Sequence, residues 1–338
     1  MKAVTIVAPG EVAVREIGEP RAGEEEVLIE VQALGLCGTD LKTYRGQNPM
    51  VTYPRVPGHE IAGVVAEVGA GVPDSIGVGA AVTVSPYTAC GICSACLAGR
   101  VNCCKDNQTL GVQRDGAATA RFSIAYSNVF LADGLSTDQI ATVEPLSVGW
   151  HASCRGRVSP EDRVLVMGCG VIGLGAIAAS CYQGAEVIAV DIDAAKLAKA
   201  QVLGARHVVN AQQEDLSERV LELTEGHGPG VVIEAVGTPE TFRAAVDLAC
   251  FAGRVVYIGY AKAPVEYETK LFVSKELDIL GSRNALLEDF GAVLDMLRDG
   301  RIDIAPLITH RYPLTEAGAA LQFWDQHPDE VTKILLSA

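Results

Sequence analysis

Residues 164–173, VLVMGCGVIG, constrain the fold more than any other stretch of the chain. A short apolar run ends in glycines spaced G-x-G-x-x-G, and an alanine-rich helical stretch follows. Gly168 makes the tight turn out of a strand. Gly170 leaves the backbone bare for a pyrophosphate to approach, and Gly173 lets the helix pack closely on the strand. The helix N-terminus then offers its amides and positive dipole end to the phosphates. A second apolar run, residues 187–190, leads to Asp191, eighteen residues past Gly173. An acid there accepts hydrogen bonds from ribose hydroxyls and repels a 2′-phosphate, so NAD is favoured over NADP. A structural glycine turn and a surface aspartate would explain each part singly. They do not explain strand, turn, helix, strand and acid arriving in that order.

Short apolar runs continue at 231–234 and 255–259, with a helical segment at 194–203. Strands alternating with helices predict βαβ units and a parallel, doubly wound sheet. Residues 1 to about 145 differ. Runs at 27–33, 61–68 and 81–84 are separated by Gly and Pro turns, which predicts a mainly-β domain. After residue 280 the character is mixed, with helices expected near 290–298 and 315–326. A length of 338 residues suits two domains.

Cys90, Cys93, Cys96 and Cys104 form C-x₂-C-x₂-C-x₇-C. Four thiolates this close can enclose one ion tetrahedrally, and a closed Cys₄ shell leaves no position for water, so a structural zinc is expected. Cys103 is an alternative fourth ligand by proximity alone. A more dispersed set consists of Cys37 in LCGTD, His59 and Glu60 in PGHE, and Glu144 in VEPLS. A mixed Cys, His and carboxylate shell is how zinc is held for chemistry. Taken singly, each residue has a bland reading as an ordinary turn or surface residue, and spacing alone does not join the three segments.

Net charge limits the partners. At −15 the chain is a poor match for nucleic acid, whose phosphates need clustered Lys and Arg. No basic amphipathic stretch points to a membrane surface. The first seven residues lack the charged and apolar regions of a signal peptide, so a cytoplasmic location is expected. Thiols stay reduced there, and the ten cysteines argue for metal binding rather than disulfides.

Together these motifs resemble the zinc-containing medium-chain dehydrogenase/reductase family over essentially the whole chain. The resemblance implies an α/β protein, with a GroES-like mainly-β catalytic domain at 1–147 and 285–338 and a Rossmann NAD-binding domain at 148–284. It implies an NAD-linked alcohol dehydrogenase with two zinc ions, one catalytic and one structural. The family's lobe spacing picks Cys104 over Cys103 as the fourth structural ligand. Where classical alcohol dehydrogenases of the family carry a cysteine as the third ligand, this chain has Glu144. That looks like the polyol branch, in which Cys37, His59 and Glu144 surround the catalytic zinc and Glu60 lies beside it as an exchanging ligand. Asp191 and Lys196 match the family's adenosine-ribose acid and the lysine after it. Val171 and Ile172 in the turn, with Val236, Gly259, Ser282 and Asn284 further on, complete the residues expected at the cofactor.

Residues 281–284 and 307–312, with YRGQNP at 44–49, are most similar to sugar-acid members such as L-galactonate and L-gulonate 5-dehydrogenases. The expected substrate is therefore a small secondary alcohol, a sugar acid or polyol. Thr39 would pass its proton outward. Many relatives carry a proton-relaying His where this chain has Lys42. Arg283 matches an active-site arginine of the branch, and a guanidinium there suits a substrate carboxylate. Lys42, Arg45 and Arg114 are other cations for that role. Alternatives are an L-threonine 3-dehydrogenase, supported by CGTD, and a neutral polyol dehydrogenase of the sorbitol type. A non-catalytic binder would be expected to have broken zinc ligands, and a zinc-free quinone reductase to lack the four-cysteine lobe. A homo-oligomer, dimer or tetramer, is expected.

Overall fold

The computed structural model describes residues 1–338. In chain order, the strands β1 (Lys2–Ala8), β2 (Glu11–Glu16), β3 (Glu26–Leu36), β4 (Glu60–Val68), β5 (Ala81–Val84), β6 (Arg121–Ala125) and β7 (Val129–Leu131) come first. Next are β8 (Arg163–Met167), β9 (Glu186–Asp191), β10 (His207–Asn210), β11 (Val231–Glu234), β12 (Arg254–Tyr257) and β13 (Asp278–Gly281). The last are β14 (Ile308–Pro313) and β15 (Lys333–Ser337). No helix is long and apolar enough to cross a membrane.

Backbone proximity divides the chain into two compact units. The first comprises Met1–Glu144, Leu286–Leu294 and Leu307–Ala338. Its main sheet runs β14-β15-β3-β4-β5-β7, with β6 also paired to β3, and β1 and β2 form a separate hairpin. In the long β3, Val27, Ile29, Val31, Leu34 and Leu36 are all buried, the alternation changing parity at the irregularity between Val31 and Ala33. They form one apolar core with Ile61, Val65, Val82, Leu321 and Ile334. This is the GroES-like domain.

The second unit comprises Pro145–Ala285 and Asp295–Pro306. Its six strands are all parallel, in the order β10-β9-β8-β11-β12-β13. The near-continuous apolar runs of β8, β9 and β11 are what a parallel sheet covered on both faces demands. The strand order reverses between β8 and β11, the switch point at which such sheets bind ligands. This is the Rossmann-like half.

The expected ranges, 1–147 with 285–338 and 148–284, and the two units have different bounds, Ala285 among them lying with the second unit. The first unit ends at Glu144 rather than 147, and residues Asp295–Pro306 lie with the second unit. The helix Leu287–Asp299 accounts for the latter. Its Phe290 is fully buried and stacks on Phe130 at 5.2 Å in the first unit. Beyond its C-terminus, the Arg301 guanidinium lies 4.4 Å over the Tyr182 ring of the second.

Candidate metal and cofactor sites

The four-cysteine segment folds into a compact loop around the short helix Ser94–Leu97. One sulfur from each of Cys90, Cys93, Cys96 and Cys104 lies within 4.8 Å of the other three. The Cys93 and Cys96 sulfurs are 3.5 Å apart, and the Cys90 amide donates to the Cys104 sulfur at 3.3 Å. Four ligands at about 2.3 Å from a central zinc would stand at similar mutual distances, so the donor set fits that ion. Electrostatics agree. Amides of Cys96 and Lys105 hold the Cys93 thiol down to about 6, whereas burial and the Cys93 sulfur push Cys96 up to about 12. Four thiolates so close need a cation before all can ionise. Cys103 stands outside the cluster, with the Arg100 guanidinium 3.9 Å from its sulfur.

A second cluster gathers Cys37, His59 and Glu60, again with one ligand atom of each within 4.8 Å of the others. Cys37 is the N-cap of the helix Gly38–Tyr44, and its amide is fixed by Asp40 Oδ2 at 2.9 Å. His59 and Glu60 arrive on the turn into β4. His59 and Glu60 are buried, as are Asp40 and Glu144 beside them. His59 Nδ1 is buried without a hydrogen-bond partner. Burial opposes charge on the His59 ring, but Cys37, Asp40 and Glu144 outweigh it and raise its pKa well above the usual value. Burial likewise raises the carboxyl groups of Asp40 and Glu144. An enclosed, anion-rich group of sulfur, imidazole and carboxylate donors suits a divalent cation, and zinc in particular.

Glu144 is near this cluster but outside its closest set. Its Oε1 accepts a hydrogen bond from the Tyr87 hydroxyl, and burial next to Glu144 raises the Tyr87 pKa well above that of a free phenol. Glu60 is also held. Lys333 Nζ lies 2.6 and 2.5 Å from its two oxygens and donates to the Leu36 carbonyl at 3.0 Å. Both side chains are fully buried. Gly35, paired with Glu60 across β3 and β4, makes room for this: a Cβ there would stand 2.0 Å from Glu60 Oε2. Tyr87 and Lys333 were not anticipated from the sequence. Tyr87 lies 57 residues from Glu144 and Lys333 lies 273 from Glu60, and neither sits in a chemical motif.

Thr39 is half-buried and Lys42 exposed on the helix after Cys37. Arg283 is exposed and belongs to the second unit, on the segment after β13.

The glycine turn follows β8. Gly168 has a φ of +97°, and Gly173 packs so closely that a Cβ would fall 1.8 Å from the Gly168 carbonyl oxygen. Gly170 is the N-cap of the helix Val171–Tyr182; no side chain caps that end, and a Cβ on Gly170 would meet nothing within 4 Å. The bare amides and open approach fit a pyrophosphate. Val171 and Ile172 form the first turn of that helix. Across the switch point, Val236 lies against the turn, since a Cβ on Gly168 would stand 2.8 Å from Val236 Cγ2. Gly259 packs on Gly237, the residue after Val236. Asp191, at the end of β9, accepts the Cys169 amide at 2.7 Å and the Ile192 amide at 2.8 Å. It thereby ties the acid to the glycine turn. The Lys196 amide helps cap the next helix through Asp193, at 3.4 Å. Ser282 Oγ is buried with no partner, and the neighbouring Asn284 has a φ of +52°.

Comparisons with known proteins accord with this arrangement. Residues 23–133 match the profile of the alcohol dehydrogenase GroES-like domain, and residues 171–299 that of zinc-binding dehydrogenases. The chain is 36% identical to an L-galactonate-5-dehydrogenase of Escherichia coli (strain K12), covering 88% of this chain and 87% of that one. It is 32% identical to a sorbitol dehydrogenase of Bacillus subtilis, covering 99% and 97%. Among solved structures, an Escherichia coli CFT073 alcohol dehydrogenase (rspB) complexed with NADH superposes with a TM-score of 0.93. It is 32% identical, covering 100% of this chain and 99% of that one.

Proposed function

The chain belongs to the zinc-type medium-chain alcohol dehydrogenase family, among its polyol and sugar-acid dehydrogenases, and from that premise we propose that it oxidises a secondary alcohol of a sugar acid with NAD. The best-supported substrate type is that of an L-galactonate or L-gulonate 5-dehydrogenase. One observation carries the reading: a single unit holds a closed cluster of four thiols and, apart from it, a cluster of half-buried Cys37 with buried His59 and Glu60, Glu144 alongside. The closed set has no ligand position to spare and is structural, whereas the mixed set leaves room for a substrate oxygen.

Cys37, His59 and a carboxylate, Glu60 or Glu144, would hold the catalytic zinc. When bound there, that ion supplies a Lewis acid that lowers the pKa of the substrate hydroxyl. The chain's own groups do the rest. Asp40 fixes the Cys37 backbone and so the direction of its sulfur. Tyr87 holds Glu144, and Lys333 balances the charge of Glu60. Thr39, two residues from Cys37, takes the hydroxyl proton and passes it outward, and exposed Lys42 lies one helical turn further towards solvent. Gly168, Gly170 and Gly173 would cradle the NAD pyrophosphate, and Asp191 would receive the adenosine ribose. NAD, when bound there, would supply the hydride acceptor for the carbinol carbon, and its placement is the protein's contribution to the redox step.

The test is NADH formation by zinc-loaded protein on a panel of L-galactonate, L-gulonate, D-gluconate, sorbitol, galactitol, L-threonine and simple alcohols. The reading expects one sugar acid to exceed its matching alditol in kcat/KM. Turnover of alditols alone would instead support the neutral-polyol reading, which similarity to a sorbitol dehydrogenase favours.

A further inference from the structure

A substrate with a charged end needs a cation that the fold has not already neutralised. Most cations around the Cys37–His59 cluster are spoken for. Lys333 is spent on Glu60. Arg45 lies 2.5 Å from Asp325, and Arg55 lies 3.0 Å from Asp115. Lys42 points from an exposed helix position.

Arg114 is different. It is half-buried, and no carboxylate lies within ion-pair distance of it. Its Nη2 reaches only the Pro86 carbonyl, at 3.4 Å, and its Nε is buried with no partner. Burial with no compensating anion pulls its pKa below the usual arginine value. In a chain of net charge −15, leaving a half-buried guanidinium with a buried Nε and no acid beside it carries a desolvation cost that an anion arriving from outside would offset.

The position is also specific. The loop carrying Arg114 is wrapped on the segment that delivers His59. The Gly116 amide donates to the Val56 carbonyl at 2.8 Å, and Ala117 to Gly58 at 3.0 Å. A Cβ on Gly111 would stand 2.5 Å from the Gly58 amide nitrogen. The Pro86 carbonyl that receives Arg114 also receives the Leu110 amide, at 3.0 Å, and Pro86 precedes Tyr87, the residue that holds Glu144. Arg114 is therefore braced between the two segments that carry His59 and the Glu144 clamp.

We propose that Arg114 is the specificity-determining cation of this site, receiving the anionic end of a polyhydroxylated substrate. The inference rests on the sugar-acid reading above and moves the carboxylate-binding role from Arg283 to Arg114. A single planar guanidinium matches a carboxylate bidentately. A phosphate monoester presents the same kind of oxygen pair, and the experiment separates the two.

The experiment compares wild type, Arg114→Gln and Arg114→Lys on an aldonate, the alditol of the same configuration and that alditol's terminal phosphate. Arg114→Gln is expected to lower the aldonate-to-alditol ratio of kcat/KM about a hundredfold, and Arg114→Lys to restore part of it. The same loss confined to the phosphate ester would make phosphate the anion received. An equal fall on anionic and neutral substrates, or no fall on either, overturns the proposal. If wild type oxidises no anionic polyol, the sugar-acid reading fails by itself. Arg114 is then judged by calorimetry on the NADH-loaded protein. Aldonate binding stronger than alditol binding, and lost in Arg114→Gln, supports the anchor; equal or absent binding of the two overturns it.

Discussion

Glu60 and Lys333 form an ion pair with no exposure on either side. Removing one partner of such a pair strands a buried charge, which costs about 3–5 kcal/mol. Lys333→Met is therefore expected to lower unfolding stability by about that amount in a denaturant titration of the metal-free protein. A change below about 1 kcal/mol would mean that Glu60 finds another partner. Gly35→Ala attacks the same pair from the other side, by pushing a methyl group into the Glu60 carboxylate. It should lower stability in the same titration without touching either charge. At this scale the sequence was only partly legible. Cys37, His59 and Glu60 carry recognisable neighbours in CGTD and GHE. The groups that hold them do not: a lysine opening the last strand and a tyrosine after Pro86 look like any other lysine and tyrosine until strand pairing brings β15 beside β3. Glu60 was expected as a ligand in exchange. It does stand in one cluster with Cys37 and His59, and Lys333 reaches both its oxygens as well, a contact no local spacing could reveal.

Elements were more legible than side-chain partnerships, because their signals are local. The runs expected at 164–166, 187–190 and 231–234 are the cores of β8, β9 and β11, and the helices expected near 290–298 and 315–326 appear as Leu287–Asp299 and Ala317–Gln326. The run at 255–259 ends early, at Tyr257, since Gly259 turns away to pack on Gly237. The glycine turn offers the sharpest test at this scale. Gly173→Ala would place a methyl group 1.8 Å from the Gly168 carbonyl, so helix and strand must separate. NADH binding, followed by fluorescence titration, should weaken at least about tenfold, consistent with the loss of close helix–strand packing. Unchanged affinity would remove the turn from the cofactor site. Asp191→Gly removes both the ribose acceptor and the tie to the Cys169 amide. It should raise the KM for NAD and shift the NAD-to-NADP preference towards NADP about tenfold or more.

At the scale of the whole molecule the chain builds two units, each with its own sheet, and leaves and re-enters each of them near the C-terminus. The change of pattern near residue 145 announced the first crossing. The return of Asp295–Pro306 to the second unit was hidden, because one unbroken amphipathic helix, Leu287–Asp299, spans the switch. The six-stranded sheet ends at β13, whose outer edge is unpaired. Exposed Ile279 lies on it, with exposed Val273 and Phe251 on neighbouring segments. An open edge with apolar flanks invites pairing with another chain. The homo-oligomer expected from the sequence should therefore dissociate, by light scattering, in Ile279→Lys; an unaltered mass would place any self-association elsewhere.

The division of labour between the two cysteine-bearing clusters is the centre of the account, and zinc counting with turnover tests it most directly. Wild type should carry two zinc ions per chain. Cys37→Ser should carry one, keep its thermal stability within a few degrees and lose NAD-dependent turnover of every substrate. Cys93→Ser should also lose one zinc, but through loss of stability rather than of chemistry in the molecules that remain folded. Full turnover in Cys37→Ser, or two zinc ions retained by both variants, would contradict the assignment.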